Sequence, residues 1–285
     1  MSTPFMRLWL SVVGLFLVVT SALAQRAIPD DNLAYPVLIK IGTGNGSGFF
    51  LHTATSGYLV TAKHVFFDPA TGNLRADGAE LISYAKDPKD QSRNVLKLDL
   101  IKLRESGDLI THPSEDVAVA KLTSGNPLNT EQQKDLAARW NDSVEVKESS
   151  PSGLLSADLS GVKKFDEVLT GNDIVLFGYP NSIGLGESPQ LDPMRPLLRK
   201  GIVAGLNPAK KSIVVDCPSY PGNSGGPVLQ IERQLTTSKF EIIGVVIEYV
   251  PFVEAVEVAR TPGAALANSG YSIVAPMDFV LELIK

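Results

Sequence analysis

The sequence of 285 residues has a single cysteine, Cys217. One cysteine excludes a disulfide bond within the chain, so burial of apolar side chains must stabilise the fold. Cys217 ends the strand-like run SIVVDC, and a small buried thiol is the simplest interpretation of that position. We do not expect it to act as a nucleophile, because a better-placed serine follows seven residues later.

Histidines and clustered basic residues are also scarce. The chain has three histidines, and its 26 Lys and Arg against 31 Asp and Glu give a net charge of −5. No cluster of lysine and arginine is present that would bind nucleic acid or an anionic membrane. No H-E-x-x-H pattern is present that would bind a catalytic zinc ion. We therefore expect no nucleic-acid partner, no metal and no cofactor.

The longest apolar run lies at the N-terminus. Arg7 is followed by the apolar segment 8–19 and then by Ala22-x-Ala24, the pattern of a signal peptide (residues 1–24) with its cleavage site. A membrane-spanning helix needs about 20 apolar residues, more than this run supplies. We expect cleavage after Ala24, export to the periplasm or the extracellular space, and no membrane anchor on a mature chain that begins at Gln25.

The remaining sequence is typical of short strands separated by turn residues. Helical spacing occurs only in segment 130–140, which begins with a capping-box pattern, and in segment 277–285. The predicted strands cover residues 37–41, 47–52, 58–62, 80–85, 95–103 and 117–122 in the first half, and residues 173–180, 197–206, 211–217, 225–232, 240–250 and 270–276 in the second half.

This pattern predicts an all-β fold of two antiparallel six-stranded β-barrels packed side by side, with a C-terminal helix. We assign the N-terminal barrel and its linker to residues 25–165, and the C-terminal barrel with the terminal helix to residues 166–285. Residues 129–164 connect the halves, and a lid, a partner surface and a plain connection all fit that segment.

The stretch SYPGNSGGPVL, residues 219–229, places Ser224 among three glycines: Gly222, Gly225 and Gly226. Glycines weaken a strand, but they let a backbone approach another group closely and point its N–H groups at it. A serine nucleophile needs a base, and the base needs an acid to orient it.

His64 is the best candidate base, because it follows the apolar strand YLVTA, whose end can hold an imidazole in place. His52 falls at a hairpin tip and His112 in the polar loop THPSED. Asp116 is the best candidate acid, because it directly precedes the alternating strand VAVAKL, where a carboxylate enters the core. Asp99 fits the exposed face of its predicted strand better.

In that order, the segments TAKHV, EDVAVAKL and PGNSGGPV resemble the three signatures of the trypsin/chymotrypsin-fold serine peptidases. The segments GSGFF and FGYP add to the resemblance, which is closest to the peptidase domain of the bacterial Deg/HtrA proteins and covers residues 33–285. Those proteins usually carry a PDZ domain after the peptidase, and here the sequence ends soon after the last strand. Lys63 also replaces the small residue common before the histidine. Assembly and quality-control roles are therefore not carried over, and the oligomeric state is left open.

The resemblance implies that Ser224 is the nucleophile, His64 the general base and Asp116 the residue that orients the base. The backbone N–H groups of Gly222 and Ser224 would then form the oxyanion hole. The expected activity is endopeptidase cleavage of polypeptide substrates. A catalytically silent peptide-binding protein on the same fold is the alternative. An α/β-hydrolase esterase formally matches G-x-S-x-G, but such an enzyme needs a histidine after the serine, and none follows Ser224.

The same resemblance locates the primary specificity pocket. Its floor would lie in CPSYP, residues 217–221, where Pro218 stands in place of an acid, and its wall would carry Val245 and Val246. A shallow apolar pocket predicts cleavage after small or medium apolar residues. Glu248 is the only nearby acid that could select a basic residue instead.

Overall fold

The computed structural model describes residues 28–85, 87, 89–124, 140–181, 188–235, 237–258 and 261–284. The predicted signal peptide lies outside these residues, and so does the helix predicted over 130–140, apart from Trp140. Within the described part of the chain, no helix has the length and apolar character that a membrane span requires.

The strands of the first half are β1 (Pro36–Ile41), β2 (Gly44–His52), β3 (Ser56–Thr61), β4 (Gly78–Tyr84), β5 (Arg93–Asp99), β6 (Leu109–Thr111), β7 (Ala118–Ser124), β8 (Val144–Glu148) and β9 (Ala157–Asp158). They form one mostly antiparallel sheet with the order β6-β7-β3-β2-β1-β4-β5-β8, and β9 pairs in parallel with β2. Two short helices, α1 (Lys63–Phe66) and α2 (Leu100–Glu105), interrupt the strands.

The strands of the second half are β10 (Asp173–Gly178), β11 (Leu197–Asn207), β12 (Ser212–Asp216), β13 (Pro227–Arg233), β14 (Ser238–Val258) and β15 (Thr261–Pro276). They close into a barrel with the order β10-β11-β12-β15-β14-β13. The helix α3 (Met277–Leu283) follows, as the sequence predicts, and buries Met277, Phe279, Val280 and Leu283.

The prediction of two barrels is confirmed for the second half and wrong for the first, which is a half-barrel. In a barrel of six strands, β6 would pair with the edge of β5 that does not contact β4. In this structure β8 pairs with that edge instead, through pairs such as Leu96↔Val146. The helix α2 also separates β5 from β6 along the chain, so the described strands of this sheet remain an open path.

The predicted strand 95–103 is another difference, because β5 ends at Asp99 and α2 begins at Leu100. The Asp99 carboxylate caps this helix by accepting a hydrogen bond from the backbone N–H of Lys102 at 3.0 Å. Leu100 and Leu103, three positions apart, are buried. The helical spacing of these leucines and the capping by Asp99 therefore favour a helix after residue 99, although the apolar alternation predicts a strand there.

An apolar cluster joins the two halves. Its first-half members include Phe49, Tyr58 and Val119, and its second-half members include Phe177, Leu229, Ile242 and Val280 of α3. Burial of large side chains from both halves stabilises their contact by the hydrophobic effect. The halves therefore share this cluster at their junction, in addition to the apolar cluster that each half has of its own.

The segment around Ser224 crosses this junction and packs on β2 and β3. Gly225 has φ +89°, and a Cβ atom there would lie 2.0 Å from the carbonyl oxygen of Ser47 and 2.2 Å from Oγ1 of Thr61. Both distances are far below van der Waals contact. Only glycine fits between the Ser224 segment and the first sheet.

We predict that Gly225→Ala lowers the free energy of unfolding by roughly 3 kcal/mol or more, because a strained backbone is added to overpacking. Gly171→Ala is the matched control, since Gly171 has the same φ of +89° and a Cβ atom added there would meet nothing within 4 Å. The control should cost only about 1–2 kcal/mol. Urea unfolding of both variants measures the difference, and equal losses would contradict the packing argument.

Candidate active site

Asp116 and His64 are brought together by the pairing of β7 with β3, in which Ala118 lies opposite Thr61. His64 lies in α1 directly after β3, and Asp116 lies in the turn directly before β7. One oxygen of Asp116, Oδ1, accepts the backbone N–H of His64 at 2.9 Å, and Oδ2 lies 2.5 Å from Nδ1 of the same residue. The aspartate therefore holds both the backbone and the ring of His64.

This geometry sets the tautomer of His64. An ionised carboxylate can only accept hydrogen bonds, so Nδ1 carries the proton and donates it to Asp116. In the neutral ring the lone pair then lies on Nε2, where it can accept a proton. The two side chains are 29% and 32% exposed. The Asp116 side chain therefore lines a cavity and is partly exposed. The expectation that this carboxylate enters the core is wrong.

The peptide groups of the Ser224 turn have fixed orientations. The carbonyl of Pro221 accepts a hydrogen bond from the backbone N–H of Asn181 at 2.7 Å, and the carbonyl of Asn223 accepts one from Gly226 at 2.9 Å. In a trans peptide the C=O and N–H point in opposite directions, so the N–H groups of Gly222 and Ser224 point away from these partners. Neither N–H donates to another group in the described part of the chain.

Position 222 requires glycine, because the neighbouring backbone leaves no room for a side chain. Its φ is +95°, and a Cβ atom there would lie 2.3 Å from the carbonyl oxygen of Tyr179 and 2.9 Å from the backbone nitrogen of Asn181. A side chain would displace the segment that holds the Pro221 carbonyl. The glycine therefore keeps the peptide between Pro221 and Gly222 in its observed orientation.

His64 and Ser224 line the same cleft, which has a volume of about 720 Å³. One wall consists of the β1–β2 turn and the loop that contains Asp68 and Arg75, and the other consists of segments 219–222 and 247–249. Asp116 and His64 also line an adjoining cavity of about 600 Å³.

Charged groups at this cleft are mostly held by their own loops. Backbone N–H groups of Thr71 and Ala70 hydrogen-bond to Asp68 and lower the pKa of its carboxyl. The Nε–H of Arg75 donates to the carbonyl oxygen of His64 at 2.8 Å.

Burial raises the pKa of the Cys217 thiol to about 11, so this thiol stays protonated at neutral pH. Cys217 is thus a poor nucleophile next to a serine cleft.

The residues predicted for the specificity pocket lie elsewhere than expected. The side chains of Val245 and Val246 are 0% and 1% exposed and belong to the apolar core. Pro218 is half-buried and is not among the residues that line the cleft. The pairing of β14 with β15 shifts register between Val246 and Glu248, and only the residues after Val246 line the cleft. The sequence carried no signal for this bulge.

Ser219 forms the polar end of segment 219–222. It is 3% exposed, and its Oγ lies 2.8 Å from Oγ of Ser272. The hydroxyl of Ser272 also lies 2.7 Å from the carbonyl oxygen of Cys217, and the Asn268 amide donates to the Ser219 carbonyl at 2.6 Å. These bonds tie the segment to β15 and hold its position beside the cleft.

Ser47 is a site residue that sequence reasoning missed. Its backbone N–H donates to the carbonyl of Ser224 at 2.8 Å, and its hydroxyl donates to the carbonyl of Gly222 at 2.6 Å. The same hydroxyl accepts the backbone N–H of Tyr179 at 2.9 Å. The only signal in the sequence is its place between two glycines, Gly46 and Gly48.

The other two histidines lie outside the cleft. The Nδ1 of His52 lies 2.9 Å from Oγ of Ser156, and its Nε2 lies 2.9 Å from Asp158. The Nε2 of His112 lies 3.1 Å from Glu282 of α3. Of the three histidines, only His64 lines the cleft with Ser224. The described residues contain no group of three or more His, Cys, Asp and Glu placed to hold a metal ion.

Comparison with known proteins gives the family. The chain matches the trypsin-like peptidase domain over residues 46–236, a range that includes His64, Asp116 and Ser224. The chain therefore belongs to the family of trypsin-like peptidase domains. No curated protein matches it significantly.

Several solved structures are similar in fold. The HtrA-type protease AlgW with a tripeptide is 17% identical with a TM-score of 0.47, and the match covers 89% of this chain and 60% of that chain. Deg5 is also 17% identical with a TM-score of 0.47, and 88% of each chain is covered. The thermostable serine protease AL20 from an extremophilic microorganism is 12% identical with a TM-score of 0.49, covering 90% of this chain and 96% of that chain. This chain thus spans 60% of the length of AlgW.

We predict that Ser47→Ala lowers the free energy of unfolding by about 1–3 kcal/mol, because the N–H of Tyr179 and the carbonyl of Gly222 lose a buried partner. The Ser224 turn should also be less rigid, so peptide hydrolysis should slow. Ser83→Ala is the matched control, because the buried hydroxyl of Ser83 has no hydrogen-bond partner in the part of the chain that the structure describes. Urea unfolding measures the stability and initial rates measure the hydrolysis. If Ser83→Ala lowers the stability and the rate as much as Ser47→Ala does, the role of Ser47 in holding the Ser224 turn is contradicted.

Proposed function

We propose that this chain is an exported serine endopeptidase that hydrolyses polypeptides through Ser224, His64 and Asp116. The observation that carries the proposal is the double contact of Asp116 with His64 in a cleft shared with Ser224. Export rests on the N-terminal sequence, namely Arg7, the apolar run and Ala22-x-Ala24.

In the proposed reaction, the Oγ of Ser224 attacks the scissile carbonyl carbon while Nε2 of His64 accepts the hydroxyl proton. The resulting tetrahedral intermediate collapses when His64 gives that proton to the leaving amine, and the C–N bond breaks. Water then attacks the acyl-enzyme, His64 accepts its proton, and Ser224 leaves with the proton restored. Asp116 stays ionised and stabilises the imidazolium in each step.

The N–H groups of Gly222 and Ser224 serve as the oxyanion hole in this proposal. Their orientation supports the role, because the carbonyls of Pro221 and Asn223 are held by Asn181 and Gly226. Donors that are fixed before the reaction stabilise the developing negative charge without reorganisation, and each one is worth on the order of 3 kcal/mol.

The substrate is proposed to bind as an extended strand along β14. The pairing of β13 with β14 ends at Pro227↔Val245, followed by a last pair of bonds between Val246 and segment 225–226. Beyond these bonds, Glu248 and Tyr249 pair with β15 on one edge of β14, and residues 247–249 line the cleft. A free strand edge can bind an extended peptide through its main chain.

We also propose cleavage after small or medium apolar residues. The residue before the cut would lie between segments 219–222 and 247–249. The buried hydroxyl at this place, that of Ser219, already bonds to Ser272. Glu248 is exposed and lines both cavities, so it lies at the rim and not at the floor.

We predict that Ser224→Ala, His64→Ala and Asp116→Asn each lower kcat by roughly 10³-fold or more. The losses should not add in double variants, because the three groups act as one unit. Digestion of a denatured protein mixture, with sequencing of the cut sites, measures the activity and the residue before each cut. A fluorophosphonate probe measures the reactivity of Ser224.

His52→Ala is the matched control, because His52 also contacts an aspartate but lies away from the Ser224 turn. This variant should keep full activity. If the unaltered protein binds peptides but neither cleaves them nor reacts with the probe, the silent binding protein is the correct alternative. Dominant cuts after lysine or arginine would contradict the apolar pocket and assign Glu248 to substrate binding.

A further inference from the structure

His112 begins the turn that carries Asp116. We call residues 112–117 the aspartate turn, since it joins β6, which ends at Thr111, to β7, which begins at Ala118. The backbone N–H of His112 donates to the carbonyl of Val117 at 2.9 Å and closes the base of the turn. The residue is only 6% exposed, although it lies in a polar segment.

The ring of His112 fills the interior of the aspartate turn. Its Nδ1 lies 3.0 Å from the backbone nitrogen of Glu115 and 3.4 Å from that of Ser114. A backbone N–H can only donate, so Nδ1 must be the acceptor and the ring proton lies on Nε2. The Nε2–H then donates to the carboxylate of Glu282 at 3.1 Å. Both ring nitrogens are therefore engaged, and each has a defined role.

The Glu282 contact links the aspartate turn to α3. The ring of Phe279, also on α3, packs at a tilt against His112 with 5.0 Å between the ring centroids. On the other side, Nζ of Lys63 lies 3.4 Å from the carbonyl oxygen of His112. The imidazole is thus held between the C-terminal helix and the turn, and its orientation depends on both.

The position of Asp116 follows from the shape of this turn. The residue held by Nδ1, Glu115, directly precedes Asp116, whose two oxygens contact only His64 in the described part of the chain. A rotation of the peptide groups at 114–115 would move the Asp116 carboxylate away from Nδ1 of His64. A displacement of about 1 Å in such a group can cost as much as 10²-fold in rate.

We propose that His112 is a positioning residue for catalysis: its Nδ1 holds the aspartate turn in the shape that presents Asp116 to His64, and Glu282 orients the ring. The proposal rests on the proposed function, in which Asp116 orients the catalytic base. In this proposal α3 has a second role besides packing on the core, because its Glu282 supplies the carboxylate that fixes the tautomer of His112.

Two substitutions of His112 separate positioning from folding in the full-length chain. His112→Leu removes both ring contacts, and we expect kcat to fall roughly tenfold or more with KM within about twofold. His112→Asn keeps an acceptor near the position of Nδ1 but loses the reach to Glu282, and asparagine commonly accepts local backbone N–H bonds. We expect it to restore most of kcat.

Substitutions of α3 supply the matched control. Glu282→Ala should lower kcat, and Glu282→Gln, which still accepts a hydrogen bond, should restore most of it. Asp278→Ala removes a different carboxylate of α3, one that contacts Lys211 and the backbone of Phe165 but not His112. It can loosen the helix and lower thermal stability, yet it should leave kcat close to that of the unaltered protein.

The rate of Ser224 labelling by a fluorophosphonate gives a second readout and separates the two proposals. If the unaltered protein does not react at Ser224, the proposed function fails. If it reacts and His112→Leu reacts equally fast with unchanged kcat, only the positioning role fails. A fall in kcat for Asp278→Ala as large as that for Glu282→Ala, or no rescue by His112→Asn, would also overturn the positioning role.

Discussion

Ser47 makes four hydrogen bonds at the junction of the two halves, to Ser224, Gly222, Tyr179 and Thr61. Its backbone and hydroxyl are both used, so a single residue of β2 fixes the turn of the second half against the sheet of the first. Gly225 lets the chains approach closely enough for these bonds to form. Because neither half holds all three proposed catalytic residues, the proposed reaction depends on this contact.

The first half contributes the proposed base, His64, whose orientation is set by local contacts. The pairing of β3 with β7 places α1 beside the aspartate turn, and Asp116 binds the backbone as well as the ring of His64. The second half contributes a turn in which the carbonyls of Pro221 and Asn223 accept hydrogen bonds from the backbone N–H groups of Asn181 and Gly226. In the proposed reaction these contacts fix the N–H groups of Gly222 and Ser224 before the substrate binds, which is what preorganised stabilisation of an oxyanion requires.

Sequence reasoning predicted His64, Asp116 and Ser224 as site residues because each lies near a strand end marked by strong local signals. Apolar strands precede or follow each residue, and glycines surround Ser224. For the same reason it placed β10 to β13 near their observed positions, whereas β14 and β15 extend well beyond the predicted 240–250 and 270–276. These signals are local, so they do not depend on how distant segments meet.

The features that sequence reasoning missed depend on distant contacts. The open first sheet results from β8 taking the edge of β5, and the shifted wall of the cleft results from a bulge in β14. Ser47 is a short polar residue between glycines, and its role arises only when Ser224, 177 positions later in the numbering, packs on it. His112 has the sequence context of an ordinary loop residue, and its contacts form only because α3 packs beside it.

A crystal structure with a peptide boronic acid would test the central claim most directly. The account predicts a bond from boron to Oγ of Ser224, with one boronate oxygen about 3 Å from the backbone nitrogens of Gly222 and Ser224. The peptide should lie as an added strand beside residues 247–249. Boron bound to another side chain, or a boronate oxygen directed away from both N–H groups, would contradict the account.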